Sequence, residues 1–193
     1  GSHYPEVGEN ALISGGRLAA AIEALPTLQH PHLKHGTWCV RYMEGGDPGT
    51  LVVPEQCYLF VDRYVVPGET DETCIAQIME AAEKLGLSGK VDVRLKPRKS
   101  PYMQSFALKE DHPLVKILQE EFHSVTGKDL PCAYDASVCD SNILAVILGI
   151  PVVTFGPSGG NMHGDNEYGY AWQVKNCGEV YRRTVARLLS GEV

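Results

Sequence analysis

A short basic segment at residues 96–101 divides the chain into two parts with different hydrophobic patterns. The segment contains Pro97 and Pro101 and shows neither helical nor strand periodicity. Before it, the pattern predicts helix, strand, strand, helix and strand, whereas after it helices alternate with short apolar segments. A chain of 193 residues has room for one large domain or two small ones. The break therefore predicts two structural parts.

The first part has the pattern of an αβ sandwich that lacks its first strand. Helices are predicted over residues 9–25 and 70–85, and strands over residues 37–43, 56–62 and 90–95. One more strand before the first helix would complete a split βαββαβ sandwich. We therefore expect an α/β protein with a ferredoxin-like first domain whose first strand is absent, so that the chain starts inside a domain.

The second part has the pattern of an incomplete α/β domain. Asp111 is predicted to cap a helix that ends at Gly127, and further helices are predicted over residues 141–148 and 173–189. Residues 151–155 form a continuous apolar run, which is typical of a strand buried on both faces of a parallel sheet. Because so few strands cannot form a two-sided sheet, this part is predicted to be a partial domain.

Composition excludes several classes of function. The formal net charge is −7 and no basic block is present, so the sequence does not indicate nucleic-acid binding. No apolar run approaches the roughly 20 residues of a membrane helix, and no signal-peptide pattern is seen. The six cysteines show no paired or zinc-ribbon spacing and are expected to be reduced. These features favour a cytoplasmic protein that binds neither nucleic acid nor membranes.

The glycine-rich segment at residues 156–168 is the richest candidate site, because it follows the predicted buried strand. Its glycines would allow a ligand to approach the backbone closely. His163 offers an imidazole, a common zinc ligand, and Glu167 could hold the other ring nitrogen. A solvated loop without function explains the local pattern equally well. A phosphate loop is a weaker interpretation, since the Walker lysine and the G-x-G-x-x-G spacing are missing.

Other polar clusters have simpler interpretations. Asp140 is first of all a helix N-cap, although it could face the same cleft as His163. The spacing of His30, His32 and His35 permits metal capture, but a surface turn is the simpler interpretation.

Several segments together resemble the M20 family of metallopeptidases and deacylases, which includes acetylornithine deacetylase, succinyl-diaminopimelate desuccinylase, aminoacylase and related carboxypeptidases. Each segment alone is weak support for the resemblance, but together they follow the order of the family's motifs over essentially the whole chain. They are residues 4–11, 53–57, 62–70, 139–142 and 149–157, followed by His163 and residues 166–168.

The resemblance implies a lid, or dimerisation, domain at residues 1–107 and the C-terminal part of the catalytic domain at residues 108–193. It implies that His163 is a zinc ligand and that the glycine loop, including Gly159 and Gly160, lines the substrate site. The intact parent would hold two zinc ions and cleave the amide bond of a small N-acyl amino acid or peptide. It would also form a homodimer through the lid, by way of the first helix and an edge strand.

The other catalytic residues of the family find no match here. They are its H-x-D ligand pair, its bridging aspartate, its paired glutamates and its further carboxylate ligand. The resemblance therefore implies a fragment that is inactive alone. The rival interpretation is a non-catalytic dimerisation or binding module, and an anion-binding α/β domain is a third.

The lid also departs from the family pattern. The histidine that reaches the neighbouring active site would fall on Gly1, and His3 is the nearest candidate for that role. The lid asparagine falls on Leu51, and a frequent second arginine falls on Tyr64.

Overall fold

The computed structural model describes residues 1–135 and 137–191. It divides the chain into two compact units, Gly1–Tyr102 and Met103–Val193. Helices pack on small antiparallel sheets, and the predicted α/β class is confirmed. Within the described ranges, no helix combines the length and apolarity that a bilayer span requires.

Unit 1 places two helices on one face of a β-hairpin. Its elements, after a short 3-10 turn at Pro5–Val7, are α1 (Ala11–Glu23), β1 (Gln29–His30), β2 (Lys34–His35), β3 (Thr37–Gly45), β4 (Cys57–Tyr64) and α2 (Asp71–Lys84). The side chain of Asn10 caps α1 by accepting from the amide of Leu12. Thr70 and Thr73 form the capping box that begins α2, as the sequence predicted for this turn.

The predicted antiparallel pair of strands is present. β3 and β4 run in register from Thr37 opposite Tyr64 to Gly45 opposite Cys57, with a bulge between Val40 and Tyr42. One face of this hairpin packs against α1 and α2, where the core forms. The buried members of that core are Leu18, Ile22, Trp38, Cys74, Ile78, Ala81 and Ala82.

Gly15 allows α1 to approach β4 closely. A Cβ atom at Gly15 would lie 2.4 Å from Sγ of Cys57, whereas one at Gly16 would meet nothing within 4 Å. The two neighbouring glycines therefore differ in role, since only the first lies against the sheet.

The prediction of a strand at residues 90–95 is wrong, because these residues are not paired with another strand. Val91 and Val93 are half-buried against the core and Asp92 and Arg94 are exposed, so the expected alternation is present. The sheet in this part of the described chain contains β3 and β4, however, and residues 91–95 pair with neither. Alternating burial needs only a core on one side, but a strand also needs a neighbouring backbone.

Unit 2 is built on a pair of helices. Its elements are α3 (Pro113–Thr126), α4 (Ser141–Val146), β5 (Gly159–Gly160), β6 (Tyr168–Gly169) and α5 (Ala171–Ser190). The cap of α3 is His112, whose Nδ1 accepts from the amide of Leu114, and not the predicted Asp111. Helices α3 and α5 pack against each other. The buried apolar residues of the pair are Val115, Ile117, Leu118, Cys177 and Val180.

The predicted buried strand at residues 151–155 is also wrong. These residues have no strand assignment, and no described strand lies beside them. Instead the Phe155 ring packs edge-on against Phe122 and Tyr181, with centroids 5.9 and 5.4 Å away. A strand of a parallel sheet forms only beside other strands. Without such neighbours, this apolar segment packs on helices instead.

Candidate functional site

The glycine-rich segment forms a small hairpin, where the sequence predicted an irregular loop. Gly159 pairs with Gly169 and Gly160 with Tyr168. A Cβ at Gly159 would lie 1.8 Å from the carbonyl oxygen of Tyr168, and one at Gly160 would lie 2.6 Å from the Tyr168 ring. The pairing itself therefore requires glycine at both positions.

The tip of this hairpin holds an unusual backbone. Among the described residues, four that are not glycine have positive φ, and three of them lie here: Asn161 (56°), His163 (61°) and Asn166 (58°). Side chains other than glycine rarely adopt this conformation, and residues held in it cluster at functional sites. His163 therefore has a backbone conformation that costs conformational free energy.

His163 is exposed at this tip. Its backbone amide donates to Oε2 of Glu167 over 3.3 Å, and the amide of Gly164 donates to the carbonyl of Asn161 over 2.8 Å. The hydrogen bond that joins Glu167 to His163 is thus to the backbone amide, where the sequence predicted one to the imidazole, and it holds the turn. His163 itself is exposed, with its backbone amide bound to Glu167.

A metal site would need more ligands than the described residues bring together. Within residues 1–135 and 137–191, no group of three or more His, Cys, Asp or Glu is arranged to hold a metal ion. A structural or catalytic zinc needs three or four protein ligands. These residues alone therefore do not fit a complete metal site, and His163 could supply a single ligand.

The hairpin is anchored to the start of α5. Oε1 of Gln173 accepts from the amide and the hydroxyl of Ser158, over 2.6 and 2.8 Å. Beside this anchor stand three exposed rings, with Tyr168 and Tyr170 centroids 5.6 Å apart and Trp172 6.3 Å beyond. Sequence reasoning missed this aromatic row, although its spacing of two residues was a visible signal.

Burial and hydrogen bonding also fix the segment before the hairpin. Burial, with a smaller contribution from Cys177, raises the pKa of the Tyr181 phenol. The phenol therefore stays protonated and donates to the carbonyl of Phe155. This bond holds residues 151–155 against α5.

Asp140 occupies the predicted N-cap position of α4 but makes no side-chain capping bond. The polar anchor is Asn142, a buried residue that sequence reasoning missed. Its Oδ1 accepts from the amide of Cys139 over 3.0 Å and its Nδ2 donates to the carbonyl of Gln104 over 2.9 Å. Asn142, and not Asp140, therefore anchors the start of α4, by bonding to backbone groups outside the helix.

In unit 1, the segment at residues 62–70, which is one of those that resemble the M20 family, has a structural role at its centre. The guanidinium of Arg63 pairs with Glu69, and both side chains are less than a tenth exposed. The same guanidinium lies 4.5 Å from the Trp38 ring centroid, and Glu69 also accepts from the amides of Leu28 and Val66. Arg63 and Glu69 therefore fasten the end of β4 to the turn before α2.

His3 lies in the exposed segment at the start of the chain, with its ring 4.6 Å from that of Tyr4. The neighbouring amide of Ser2 donates to the carbonyl of Leu51 over 2.8 Å. The structure thus brings together two positions at which the sequence departs from the M20 pattern, Gly1 and Leu51.

The three clustered histidines serve a turn. Nδ1 of His30 accepts from the amides of His32 and Leu33, and Nδ1 of His35 lies 2.7 Å from the carbonyl of Gly36. With ring nitrogens in local contacts, the surface-turn interpretation fits better than metal capture.

Comparison with known proteins adds to this geometry. Residues 1–90 match the M20 peptidase dimerisation domain. The resemblance to the M20 family is confirmed. Unit 1 is therefore similar to a domain whose family description indicates self-association.

The curated relatives include the uncharacterized protein YgeY from Escherichia coli K12 and the same protein from strain O157:H7. Each is 25% identical over 191 residues and is matched over 92% of this chain and 47% of its own length. The chain thus spans about half the length of the relatives it matches.

A similar solved structure is the M20 family metallo-carboxypeptidase Sso-CP2 from Sulfolobus solfataricus. It aligns with a TM-score of 0.61 and 14% identity, over 95% of this chain and 53% of that chain. At this identity the match shows the fold alone.

Proposed function

We propose that this chain is part of a metal-dependent hydrolase that cleaves the amide bond of an N-acyl amino acid or a small peptide. Most of the catalytic residues would lie outside these 193 residues, so that the chain alone is inactive. The observation that carries the proposal is the strained hairpin tip that holds His163 exposed, in a chain whose first 90 residues match an M20 dimerisation domain.

In this proposal His163 is one ligand of a zinc ion, and the complete enzyme holds two. Imidazole is among the commonest zinc ligands, and the ring of His163 is exposed. Because the described residues form no group of three ligands, the remaining ones would have to come from elsewhere in a longer protein.

The substrate would lie beside the same hairpin. Gly159 and Gly160 have no side chains, so a substrate can approach their backbone closely. From the lid, His3 would contribute to the active site of the neighbouring subunit, and it follows Ser2, whose amide is held against Leu51. We assign residues 1–107 to the lid and residues 108–193 to the catalytic domain.

The lid would also form the homodimer, through α1 and an edge strand. The edge of β3 that faces away from β4 has no strand partner in the described chain, so its backbone groups can pair with another copy. We place the protein in the cytoplasm because its cysteines are unpaired in the structure.

The test is the replacement of His163 by Ala in the longer protein, with Met162→Ala as the matched control. Met162 is the exposed neighbour on the same tip and carries no ligand chemistry. Zinc content by elemental analysis and hydrolysis of a panel of acyl amino acids should both fall in His163→Ala and stay unchanged in Met162→Ala. Unchanged zinc content and rate in His163→Ala would exclude His163 as a ligand.

The alternative function is a non-catalytic dimerisation module. It is favoured by the failure of the described residues to bring three ligands together. The coding sequence upstream separates the two proposals: an H-x-D motif within the preceding couple of hundred codons supports the hydrolase, and a start codon directly before Tyr4 supports the module.

A further inference from the structure

The outer face of the β3–β4 hairpin carries aromatic side chains, where the solvated face of an antiparallel sheet normally carries polar ones. Leu59 and Val61 of β4 pack on the core, so the residues that alternate with them lie on the opposite face. The aromatic residues on that face, which we call the aromatic face, are Tyr58, Phe60 and Tyr64 of β4 and Tyr42 of β3. Each is between 37% and 56% exposed. Exposed apolar side chains gathered in one place mark an interaction surface.

The rings on this face form a continuous and extended surface. Tyr42 lies opposite Phe60, with ring centroids 5.4 Å apart. β4 has 8 residues. Because a strand rises about 3.3 Å per residue, Tyr58 and Tyr64 are separated by about 20 Å along it. An extended peptide of about six residues has this length, whereas a single acyl amino acid is much shorter.

A basic segment lies beside the aromatic face. Its cations are Lys96, Arg98 and Lys99. The ammonium of Lys96 lies 4.9 Å from the ring centroid of Phe60, so the segment begins against this face. It then folds on itself, because the hydroxyl of Tyr102 donates to the carbonyl of Lys96 and the guanidinium of Arg98 lies 5.1 Å from the Tyr102 ring centroid.

The charges of this region are not balanced within the part of the chain that the structure describes. No carboxylate of that part lies within ion-pair distance of the three cations. The carboxylates on the aromatic face have other partners. Asp62 pairs with Arg41 over 2.8 Å, and Glu44 accepts from the hydroxyl of Tyr42 over 2.8 Å. The cations therefore remain available to an external anion, in a chain whose net charge is −7.

We propose that the aromatic face and the cations of residues 96–99 together bind an acidic peptide segment of a partner protein. The apolar side chains of the peptide would pack on the rings, and its carboxylates would pair with the cations. A single-stranded nucleic acid also stacks on aromatic rings. It carries a negative charge at every nucleotide, however, and Asp62 and Glu44 on the same face would repel it. A peptide can place uncharged residues at those positions.

The experiment measures the binding of fluorescein-labelled peptides to the 193-residue chain by fluorescence anisotropy. The probe is a peptide of about six residues, the length of an average strand, with aspartate and phenylalanine in equal number. One control peptide has serine in place of phenylalanine, and another has lysine in place of aspartate. Both controls should bind at least about ten-fold more weakly, because each lacks one of the two complementary features.

Charge reversal locates the site on the chain. Lys96→Glu combined with Arg98→Glu should weaken binding of the probe at least about ten-fold, because like charges then face its carboxylates. The matched control is Lys116→Glu combined with Lys175→Glu, which changes the net charge equally at exposed positions of unit 2. This control should bind the probe as the unchanged chain does.

Removal of one ring tests the aromatic face. Phe60→Ser should also weaken binding about ten-fold, because it removes the ring that contacts both Tyr42 and Lys96. Tyr4→Ser, which removes an exposed ring outside the sheet, should leave binding unchanged. Circular dichroism verifies that each variant is folded. If Phe60→Ser does not fold, the charge-reversed pair and its control still decide.

Several outcomes overturn the proposal. Absence of binding, equal binding of the serine peptide, or equal loss in the two charge-reversed pairs would exclude an acidic peptide site here. Tighter binding of a single-stranded thymidine oligonucleotide of the same length would assign the surface to nucleic acid. Self-association of the chain that Phe60→Ser abolishes would assign the surface to a second copy. All these measurements are made without metal or hydrolysis, so failure here is distinguishable from failure of the proposed enzyme.

Discussion

The two units of this protein differ in the elements from which each builds its buried core. Unit 1 buries one face of β3 and β4 under α1 and α2, with Ile22 almost fully enclosed. Unit 2 buries a seam between α3 and α5 but leaves Ile147, Leu148 and Ile150 about half exposed. A sheet presents one broad face to two helices, whereas two helices cover only a narrow stripe of each other.

One exposed stretch of unit 2, Ile147 to Ile150, indicates where this unit would receive further structure. Exposed apolar residues in one stretch mark surfaces that bind something else. In unit 2 this stretch leads directly into residues 151–155. Their composition is typical of a strand, but they pair with no described strand. The exposed stretch thus agrees with the proposal that a longer protein completes this domain, while unit 1 already has a core of its own.

The largest expected effect is in the buried ion pair of unit 1. Glu69→Gln should lower the free energy of unfolding by about 3–5 kcal/mol, because the enclosed Arg63 would lose its counter-charge. Urea denaturation measures the change. The control Glu80→Gln, whose partner Lys84 is exposed, should leave stability nearly unchanged. Equal effects of the two substitutions would contradict a special role for the buried pair.

The core comparison can be tested with one matched pair of substitutions. Ile22→Ala should cost about 2–5 kcal/mol, since Ile22 is 1% exposed and its loss leaves a cavity. Ile147→Ala, at a position 55% exposed, should cost less than about 1 kcal/mol. Denaturation of both variants by the same method gives the difference. A comparable cost at Ile147 would show that unit 2 covers that surface after all.

The two neighbouring glycines of α1 should respond with opposite sign. Gly15→Ala should destabilise by about 1–3 kcal/mol, because the new methyl group would overlap Sγ of Cys57. Gly16→Ala meets open space and should stabilise the helix by about 0.5–1 kcal/mol. Thermal unfolding of the two variants measures both changes in stability. If both raise the melting temperature, Cys57 moves aside and the packing of α1 on β4 is looser than described.

The smallest effect concerns the exposed charges of α5. Hydrogen bonds from Arg182 and then Arg183 lower the pKa of Glu179 from its ordinary 4.5 to about 2. Since the folded-state pKa is depressed, the stabilisation is present above pH 4.5 and is lost as the pH falls towards 2. Titration of the carboxyl group by NMR checks the value. Arg182→Gln should raise that pKa, and an unchanged titration would show that the ion pair does not persist in solution.

The helices were predictable because their signals are local. Asn10, Thr70 and Gly127 mark ends that the structure places where the sequence predicted, within two residues. Helix capping and hydrophobic periodicity both depend on residues that are close together along the chain. The hairpin at Gly159 and Gly160 was missed because its glycines allow a loop as readily as a pair of strands.

The candidate site was only partly predictable. The sequence indicated His163 and the glycines before it, but not the positive φ of His163 or the use of Glu167 to hold the turn. It did not reveal Asn142, because an amide beside Asp140 looks like one more helix-start residue. Nor did it show that Arg63 and Glu69 would be enclosed together, since burial depends on what packs above them.

By itself the amino-acid sequence determined the helices, the pairing of β3 with β4, the division into two parts and the M20 resemblance. Each of these depends on periodicity, turn residues or ordered motifs that are written along the chain. Only the tertiary structure decided that residues 91–95 and 151–155 remain unpaired. A strand is completed by hydrogen bonds to another backbone, and no property of the strand's own residues can supply that neighbour.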